Sequence, residues 1–343
     1  MNLFKRLFST KTTKQSIDFT SIIRMEDSVK GFFIPCFIHN INYHYSPLQM
    51  YSDGLISCWG TTDWIGFKGK LNSGWVTTSI PDGTTMSISF VGEWEIEQGR
   101  WQHTATTFYD NVYELFTCLN PNLQNLYQHQ SNKPIWEDSK ISVKPYNVPT
   151  PKPYHMTSTN RILGEKFVVF FRHSDQKTYI ADLCLYPNKR VEISNLPTKQ
   201  IIEFGQLVEF ANKGLITTQP QIGETVTIAN IGSFKIKSGQ GIKMDYKLAE
   251  WNDKLNELNG SENSRVRCAR IFEEYKQNPT NALKNKLKIA YESIPVHLRA
   301  FVGSIDTKDY EVRLILYGDI AKKEFEERYG MKYPYDDMPL PKD

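Results

Sequence analysis

The chain lacks both a long apolar run and an excess of charge of either sign. Its 343 residues include no stretch of about 18 consecutive apolar residues, so the sequence predicts no membrane-spanning helix. The 41 lysine and arginine residues nearly balance 38 aspartate and glutamate residues, which leaves a net charge of +3. A field this weak gives no reason to expect a nucleic-acid partner, and we predict none.

Cysteine is scarce, and the motifs of common catalytic sites are missing. The five cysteines are odd in number and form no CxxC pair, which fits neither a disulfide framework nor a zinc cage. The sequence contains no GxSxG or HExxH, and SGQG at residues 238–241 lacks the Lys-Ser/Thr of a phosphate loop. We therefore predict a cytoplasmic protein with no metal and no cofactor.

An internal repeat is the strongest pattern present. GWVTTSIPDGTTMSISFVGEWEIEQG (residues 74–99) and GLITTQPQIGETVTIANIGSFKIKSG (residues 214–239) align without a gap at an offset of 140, with nine identities in 26 positions. By chance, about one or two identities would be expected over this length. Upstream, His39 aligns with His173 at offset 134 and Tyr51 with Tyr186 at offset 135. We infer a duplicated unit of about 95 residues, with insertions of one and five residues in the second copy.

The repeated unit has the pattern of a β fold. Apolar and polar residues alternate from Thr85 and from Thr225, each time after a turn glycine, Gly83 or Gly223. A second alternation leads into EQGR or KSGQ, which we interpret as hairpins within each copy. An amphipathic helical stretch follows each copy. The predicted class is α+β, with tandem duplicated small β-rich domains (barrel or sandwich), each followed by a helix, and a mostly helical C-terminal region.

Composition places the domain boundaries. The predicted parts are a basic N-terminal tail (1–24), the first repeat with its trailing helix (25–130), a proline-rich linker (131–160), the second repeat with its helix (161–260) and the mostly helical C-terminal region (261–343). Residues 3–8 combine bulky apolar and basic side chains. They are compatible with a membrane-surface helix, an organellar presequence or a plain solvated terminus, and we favour the last.

Aromatic residues are concentrated in the first copy and partly lost from the second. Where the first copy has Trp75 and Trp101, the second has Leu215 and Gly241. We therefore predict that Trp75 and Trp101 serve the first copy in particular, in packing or in binding. His39 and His173 are added as candidate binding residues because the alignment repeats them, although a structural role at a strand end is the better explanation.

Residues 290–318 are densest in charged and turn-forming groups. They supply His297, Asp306 and Asp309 as weak candidates for acid-base catalysis. Candidate binding residues in the same segment are Arg299, Lys308 and Arg313. A structural ion-pair network, a partner surface and a catalytic site are the alternatives, and the network is favoured because no nucleophile, base and orienting group stand in order.

Within that segment, IPVHLRAFVGSIDTKDYEVRLILYG (residues 294–318) resembles a motif of uncharacterised bacterial proteins, of the kind found beside polymorphic toxins as immunity proteins. The family has no established catalytic residues to transfer. What the resemblance implies is a bacterial cytoplasmic protein that binds another protein.

Three functional hypotheses remain. The favoured one is a non-enzymatic bacterial protein-binding protein, an immunity or conflict-system component with another protein, such as a toxin, as its partner. The alternatives are an enzyme of unknown reaction, with a site between the β repeats and the C-terminal region, and a peripheral membrane adaptor that uses the N-terminal tail. The sequence does not predict the oligomeric state.

Overall fold

The computed structural model describes residues 18–24, 29–124, 151–303 and 308–332. The strands of the first part of the chain are β1 Ser21–Arg24, β2 Val29–Ile34, β3 Phe37–Asn40, β4 Asn42–Tyr45, β5 Leu48–Tyr51, β6 Ile56–Ser57, β7 Thr61–Thr62, β8 Val76–Thr77, β9 Thr85–Ile88 and β10 Gly92–Trp101. Those of the second part are β11 Lys152–Met156, β12 Arg161–Leu163, β13 Glu165–Arg172, β14 Thr178–Leu185, β15 Arg190–Ser194, β16 Gln200–Glu203, β17 Ile216–Thr217, β18 Thr225–Ile228 and β19 Gly232–Gly241.

The helices follow the β segments and fill the C-terminal region. They are α1 Trp64–Asn72, α2 Ala105–Leu119, α3 Phe204–Asn212, α4 Met244–Leu258, α5 Ser264–Gln277, α6 Asn281–Glu292, a 3-10 helix Val296–Phe301, α7 Tyr310–Tyr317 and α8 Asp319–Tyr329. None of the helices in the described ranges is long and apolar enough to cross a membrane. The predicted class is confirmed: two tandem β-rich segments, each followed by a helix, precede a helical region.

The chain divides into two compact units, Met1–Gly241 and Ile242–Asp343. The first unit holds the β segments of both copies, together with α1, α2 and α3. Helix α4, which the repeat assigns to the second copy, belongs to the second unit. The segment YEVRLILYG, whose residue pattern fits a strand as well as a helix, forms α7.

The offset of 140 extends beyond the aligned segment. Helix α1 and helix α3 are exact equivalents at this offset, as are β10 and β19. Neither α1 nor α3 was predicted from the sequence. Each spans only nine residues and buries two side chains, Phe67 and Leu71 in α1 and Leu207 and Ala211 in α3, so the apolar periodicity is too short to recognise.

The sequence alignment of His39 with His173 is wrong by one residue. The backbone N–H of His39 donates to the carbonyl oxygen of Trp75 (2.9 Å), and that of Arg172 donates to the carbonyl oxygen of Leu215 (2.8 Å). Since Trp75 and Leu215 are equivalent at offset 140, His39 corresponds to Arg172 at offset 133. The second copy therefore carries insertions of two and five residues, because one shared side chain does not determine strand register.

A repeated glycine fits this corrected offset. Gly31 lies opposite Tyr51 on the neighbouring strand, and Gly164, 133 residues later, lies against the ring of Tyr186. A Cβ atom on Gly31 would meet the carbonyl oxygen of Met50 at 2.2 Å. Both copies thus pack a tyrosine ring over a glycine, an arrangement that any side chain at the glycine would displace.

The predicted hairpins within EQGR and KSGQ do not form. Strands β10 and β19 run through both segments and pair with each other in antiparallel register. Gly92 lies opposite Gly241, Trp101 lies opposite Gly232, and Ile96 faces its own equivalent Ile236. The two copies are therefore related by a pseudo-twofold axis near Ile96. Each of these strands pairs on one edge with a strand of its own copy and on the other edge with its equivalent in the other copy. This pairing extends the sheet to 12 strands.

A second sheet also joins the copies. Strand β1 pairs with β2 of the first copy and with β11 of the second, in a sheet of seven strands. Ser21–Arg24 was assigned to the N-terminal tail and Lys152–Met156 to the linker, so each of these predicted parts includes a strand of this sheet. Residues 1–17, including the apolar tail residues, and the rest of the linker to residue 150 lie outside the described residues.

The core of the first unit is shared. One cluster contains side chains of both copies, from Phe37 and Trp94 in the first to Phe170 and Phe234 in the second. The ring of Trp94 meets that of Phe170 edge to face at 5.0 Å between centroids. Because burial of these aromatic side chains needs both copies, the two β segments form one folding unit rather than two independent domains.

The second unit has its own core. Helices α5 and α6 contribute buried side chains such as Phe272, Tyr275 and Leu287, and α7 contributes Val312 and Ile315. The described residues of the segment 290–318 supply part of this core, including Tyr291, Ile294, Val312 and Ile315.

Candidate functional site

Two of the predicted binding residues, His39 and Trp101, line one cavity in the first copy. The β3–β4 pairing places His39 opposite Tyr43, with their rings stacked at 4.3 Å. These two rings and Trp101 line a cavity of about 460 Å³ whose polar groups include Ser79 and Asp82. We call this cavity the first-copy pocket. It combines aromatic faces with a carboxylate and hydroxyl groups, which is a composition suited to binding.

Trp101 belongs to the core and to the pocket at once. Its ring meets Phe37 edge to face at 5.6 Å and stacks on Phe234 of the second copy at 6.1 Å. A Cβ atom on Gly99 would lie 2.6 Å from Nε1 of Trp101, so the glycine makes room for the indole. The second copy has Gly241 at the position of Trp101, so it lacks the indole that lines the first-copy pocket. The packing role predicted for Trp101 is confirmed, and its binding role stays a prediction.

Trp75 lies in a separate aromatic group. Its ring faces Trp59 at 6.4 Å, and Trp59 in turn lies 4.8 Å from the ring of His44. The Nδ1 atom of His44 hydrogen-bonds the Oγ of Ser87 at 2.6 Å, which fixes the imidazole on β4. Trp75 does not line the first-copy pocket. The structure therefore separates the two tryptophans that the sequence grouped together.

In the second copy an ion pair occupies the corresponding position. Arg172, the equivalent of His39, donates from Nε and Nη2 to the two carboxylate oxygens of Glu224, each at 3.0 Å. It also donates to the carbonyl oxygen of Gly214. Burial acts to raise the pKa of Glu224, but hydrogen bonds from Arg172 and Thr178 outweigh it and the net pKa is lowered. The second copy thus replaces the aromatic pocket with a structural charge pair.

His173 serves the longer β13–β14 turn of the second copy. Its Nδ1 lies 3.1 Å from a carboxylate oxygen of Asp175, and its ring packs edge to face against Tyr179. The Asp175 carboxylate accepts the Tyr179 hydroxyl at 2.8 Å. These contacts give His173 a local structural role, as the alternative interpretation of the sequence allowed.

Three left-handed turn positions of the first copy carry large apolar side chains. Ile41, Trp59 and Phe90 have φ values of 63°, 54° and 58°, and their exposed fractions are 92%, 47% and 52%. We call them the first-copy turn residues. The second copy has Asn230 at the position of Phe90 and Gln176 in the turn that corresponds to that of Ile41, both also left-handed. Asparagine tolerates this conformation, whereas branched and aromatic residues are strained in it.

The strain leads to a testable difference between equivalent positions. Substitution Phe90→Asn is expected to raise the free energy of unfolding by about 1 kcal/mol, because it gives the turn the residue that the second copy uses. The reverse change, Asn230→Phe, is expected to lower it by a similar amount. Urea denaturation followed by tryptophan fluorescence measures both, and a loss of stability in Phe90→Asn would show that Phe90 supports the fold.

In the second unit, His297 joins a buried charge cluster that the sequence did not reveal. Nζ of Lys247 lies 2.8 Å from Oε2 of Glu250, and Nε2 of His297 lies 2.9 Å from the same oxygen. Burial lowers the pKa of Lys247 despite the neighbouring carboxylate. For Glu250, burial acts to raise the pKa, but the hydrogen bond from His297 and the charge of Lys247 prevail, and the pKa is lowered.

The predicted acid-base group does not assemble from its described members. Asp309 is buried and accepts the hydroxyl of Tyr291 at 2.5 Å, while His297 is bound to Glu250. His297 and Asp309 share no hydrogen bond or ion pair with each other among the described residues. Asp306 lies outside the described residues. The segment's histidine and its aspartate therefore have separate structural partners.

The three predicted basic residues converge. Arg299, Lys308 and Arg313 line one cavity of about 560 Å³ in the second unit, together with Arg328 of α8. We call it the C-terminal pocket. The sequence missed Arg328 because it lies 15 positions after Arg313, on the next helix.

The fold and these sites define a tandemly duplicated α+β protein with a helical C-terminal unit. A family model described as a domain of unknown function, DUF7638, matches residues 20–123 and again residues 152–262. A second domain of unknown function, DUF7639, matches residues 263–329. The chain belongs to the DUF7638 family and carries two copies of its domain. No curated protein and no solved structure shows significant similarity to the chain.

Proposed function

We propose that the chain is a non-enzymatic protein-binding protein whose first β-rich copy carries the docking surface. The observation that supports this most directly is the set of first-copy turn residues, in which a left-handed backbone bears an exposed apolar side chain three times. The resemblance of residues 294–318 to bacterial immunity proteins suggests the class of partner, a toxin encoded beside the protein.

The energetic argument starts from the cost of these residues. Each left-handed turn with a bulky residue costs about 1–2 kcal/mol, and a side chain as exposed as that of Ile41 gains almost nothing from burial in the free protein. Complete burial of an isoleucine in a partner contributes about 1.5–3 kcal/mol. Binding therefore returns more free energy than the strain consumes, which would account for apolar residues at these turns.

Aromatic groups adjoin the turns of Trp59 and Ile41. Trp59 contacts His44, and across the β3–β4 hairpin His39 and Tyr43 form a wall of the first-copy pocket. Tryptophan and tyrosine are enriched among residues that dominate binding energy. Asp82 lines this pocket and holds the backbone N–H of Gly99 with one oxygen, so its second oxygen can meet a donor from a partner.

The pseudo-twofold pairing favours a different protein over a second copy of the chain. Duplicated modules commonly associate through the same edge on both partners, and β10 and β19 already make that symmetric contact within one molecule. At the turns matched to those of Phe90 and Ile41 the second copy has Asn230 and Gln176, so the exposed surface is not self-similar. We therefore commit to a heterologous protein partner.

A triple substitution tests the docking surface. The product of the gene adjacent to this one is the probe, and interferometry of the purified pair measures its dissociation constant. Ile41→Asn, Trp59→Asn and Phe90→Asn together are expected to weaken binding at least 100-fold, because they remove three apolar contacts without straining the turns. Circular dichroism is expected to be unchanged.

The matched control is Ile222→Asn, which removes an isoleucine 75% exposed in the second copy. It is expected to leave the dissociation constant within about twofold. The proposal is rejected if the adjacent gene product does not bind the wild-type protein. It is also rejected if Ile222→Asn weakens binding as much as the triple variant, or if the protein pairs through this surface only with itself.

A further inference from the structure

The C-terminal pocket contains more positive than negative groups. Its basic residues come from different parts of the second unit: Arg299 from the 3-10 helix, Lys308 from the segment before α7, Arg313 from α7 and Arg328 from the last turn of α8. Its acidic lining residues are Asp309 and Glu324. Four cations around a cavity of about 560 Å³ produce a positive field there, and two of them, Lys308 and Arg328, are exposed to solvent.

The two carboxylates do not neutralise the pocket evenly. Glu324 forms an ion pair with Arg313, and Asp309 accepts the hydroxyl of Tyr291. Within the described ranges, Arg299, Lys308 and Arg328 form no ion pair with a carboxylate. Three positive groups without such partners around one cavity give it a positive potential that attracts an anion.

The cations are also held in place. Nε and Nη2 of Arg299 donate to the carbonyl oxygens of Ile294 and Glu292, and its guanidinium lies 5.2 Å from the ring centre of Tyr291. Arg328 lies 5.7 Å from the ring centre of Tyr329. A hydrogen bond with Tyr310, followed by the charges of Lys308 and Arg328, lowers the pKa of Tyr329, as a positive environment requires.

We propose that the C-terminal pocket binds a small phosphate-bearing ligand. Arg299, Lys308 and Arg328 approach from three elements, so they match a group with a charge of about −2 and oxygens directed tetrahedrally. A polycarboxylate such as citrate carries comparable charge, but its oxygens lie in separate planar pairs, so it satisfies fewer of these donors at one point. The cavity volume lies in the range of small-molecule sites, about 300–1,000 Å³. This site is in the second unit and does not depend on the docking surface of the first copy.

Calorimetric titration of the full-length protein tests the proposal with three probes: inorganic pyrophosphate, adenosine 5′-monophosphate and citrate. Pyrophosphate is expected to bind with micromolar affinity that falls as salt is raised, and citrate at least tenfold more weakly. Arg299→Gln and Arg328→Gln are each expected to weaken pyrophosphate binding at least tenfold. Tighter binding of adenosine 5′-monophosphate than of pyrophosphate would identify a phosphate ester as the preferred source.

Lys323→Gln is the control, because Lys323 is an exposed lysine of α8 that does not line the pocket. It is expected to bind pyrophosphate like the wild type. Circular dichroism, to which the helices of the second unit contribute, reports whether each variant remains folded. The proposal is overturned if pyrophosphate does not bind at millimolar concentration, if citrate binds equally well, or if a folded Arg328→Gln variant retains wild-type affinity.

Discussion

Substitution Gly239→Ala is expected to lower the free energy of unfolding of the first unit by about 3 kcal/mol or more. Gly239 lies in β19 with a φ of 130°, opposite Trp94 of β10. A Cβ atom there would lie 2.2 Å from the carbonyl oxygen of Glu93 and 2.6 Å from Cα of Trp94. Both contacts are with backbone, so the clash can be relieved only by separating the strands that join the two copies.

The measurement is urea denaturation followed by tryptophan fluorescence and circular dichroism. Gly205→Ala is the matched control, since Gly205 lies in α3 and a Cβ atom there would meet nothing within 4 Å. It is expected to leave stability unchanged or raise it by up to about 1 kcal/mol. If Gly239→Ala is as stable as Gly205→Ala, the close antiparallel pairing of β10 with β19 is incorrect.

The second large effect is expected from Glu250→Gln, at about 3 kcal/mol of lost stability in the second unit at pH 7. Glutamine keeps an oxygen that can hydrogen-bond His297 but removes the charge that stabilises the buried ammonium of Lys247. The fluorescence of Trp251, the residue after Glu250, reports on this region. Combining Glu250→Gln with Lys247→Met is expected to recover most of the loss, since no charge is then buried there.

The same cluster predicts a pH dependence. Because the pKa of Glu250 is lower in the folded protein than its usual 4.5, the unfolded chain binds more protons between these values, and stability rises with pH there. Its contribution is complete above pH about 4.5 and is lost as the pH falls through the folded value. The difference in stability between wild type and Glu250→Gln is therefore expected to shrink below pH 4.5. A difference that is constant from pH 7 to pH 3 would contradict the charge interaction.

Much of the architecture could be predicted because local pattern specifies it. The alternation of apolar and polar residues from Thr85 and from Thr225 predicts strands, and both form. Gly83 and Gly223 have the left-handed backbone expected of turn glycines, and the apolar face of the helix after the first copy, which includes Phe108, is buried. The hairpins were wrong because local turn propensity carries no information about a distant partner strand. The His39 alignment failed for a related reason, since one repeated side chain cannot determine a register that is set by backbone pairing.

The candidate sites were predicted less completely. The grouping of Arg299, Lys308 and Arg313 follows from their closeness in the chain, but Arg328 reaches the same cavity only through the packing of α7 and α8. Likewise, His297 could be named as a titratable residue, whereas its partner Glu250 is 47 residues away. Contacts of this kind require knowledge of which helices meet.

Residue order alone established that one β-rich module occurs twice and that helices end the chain, because apolar periodicity and glycine turns are properties of neighbouring residues. Three features emerged only from the folded chain. They are the pairing of the two modules through β10 and β19, the exposed apolar turns of the first copy and the convergence of cations in the second unit. These features depend on backbone pairing and side-chain packing between residues far apart in sequence, which no local pattern encodes.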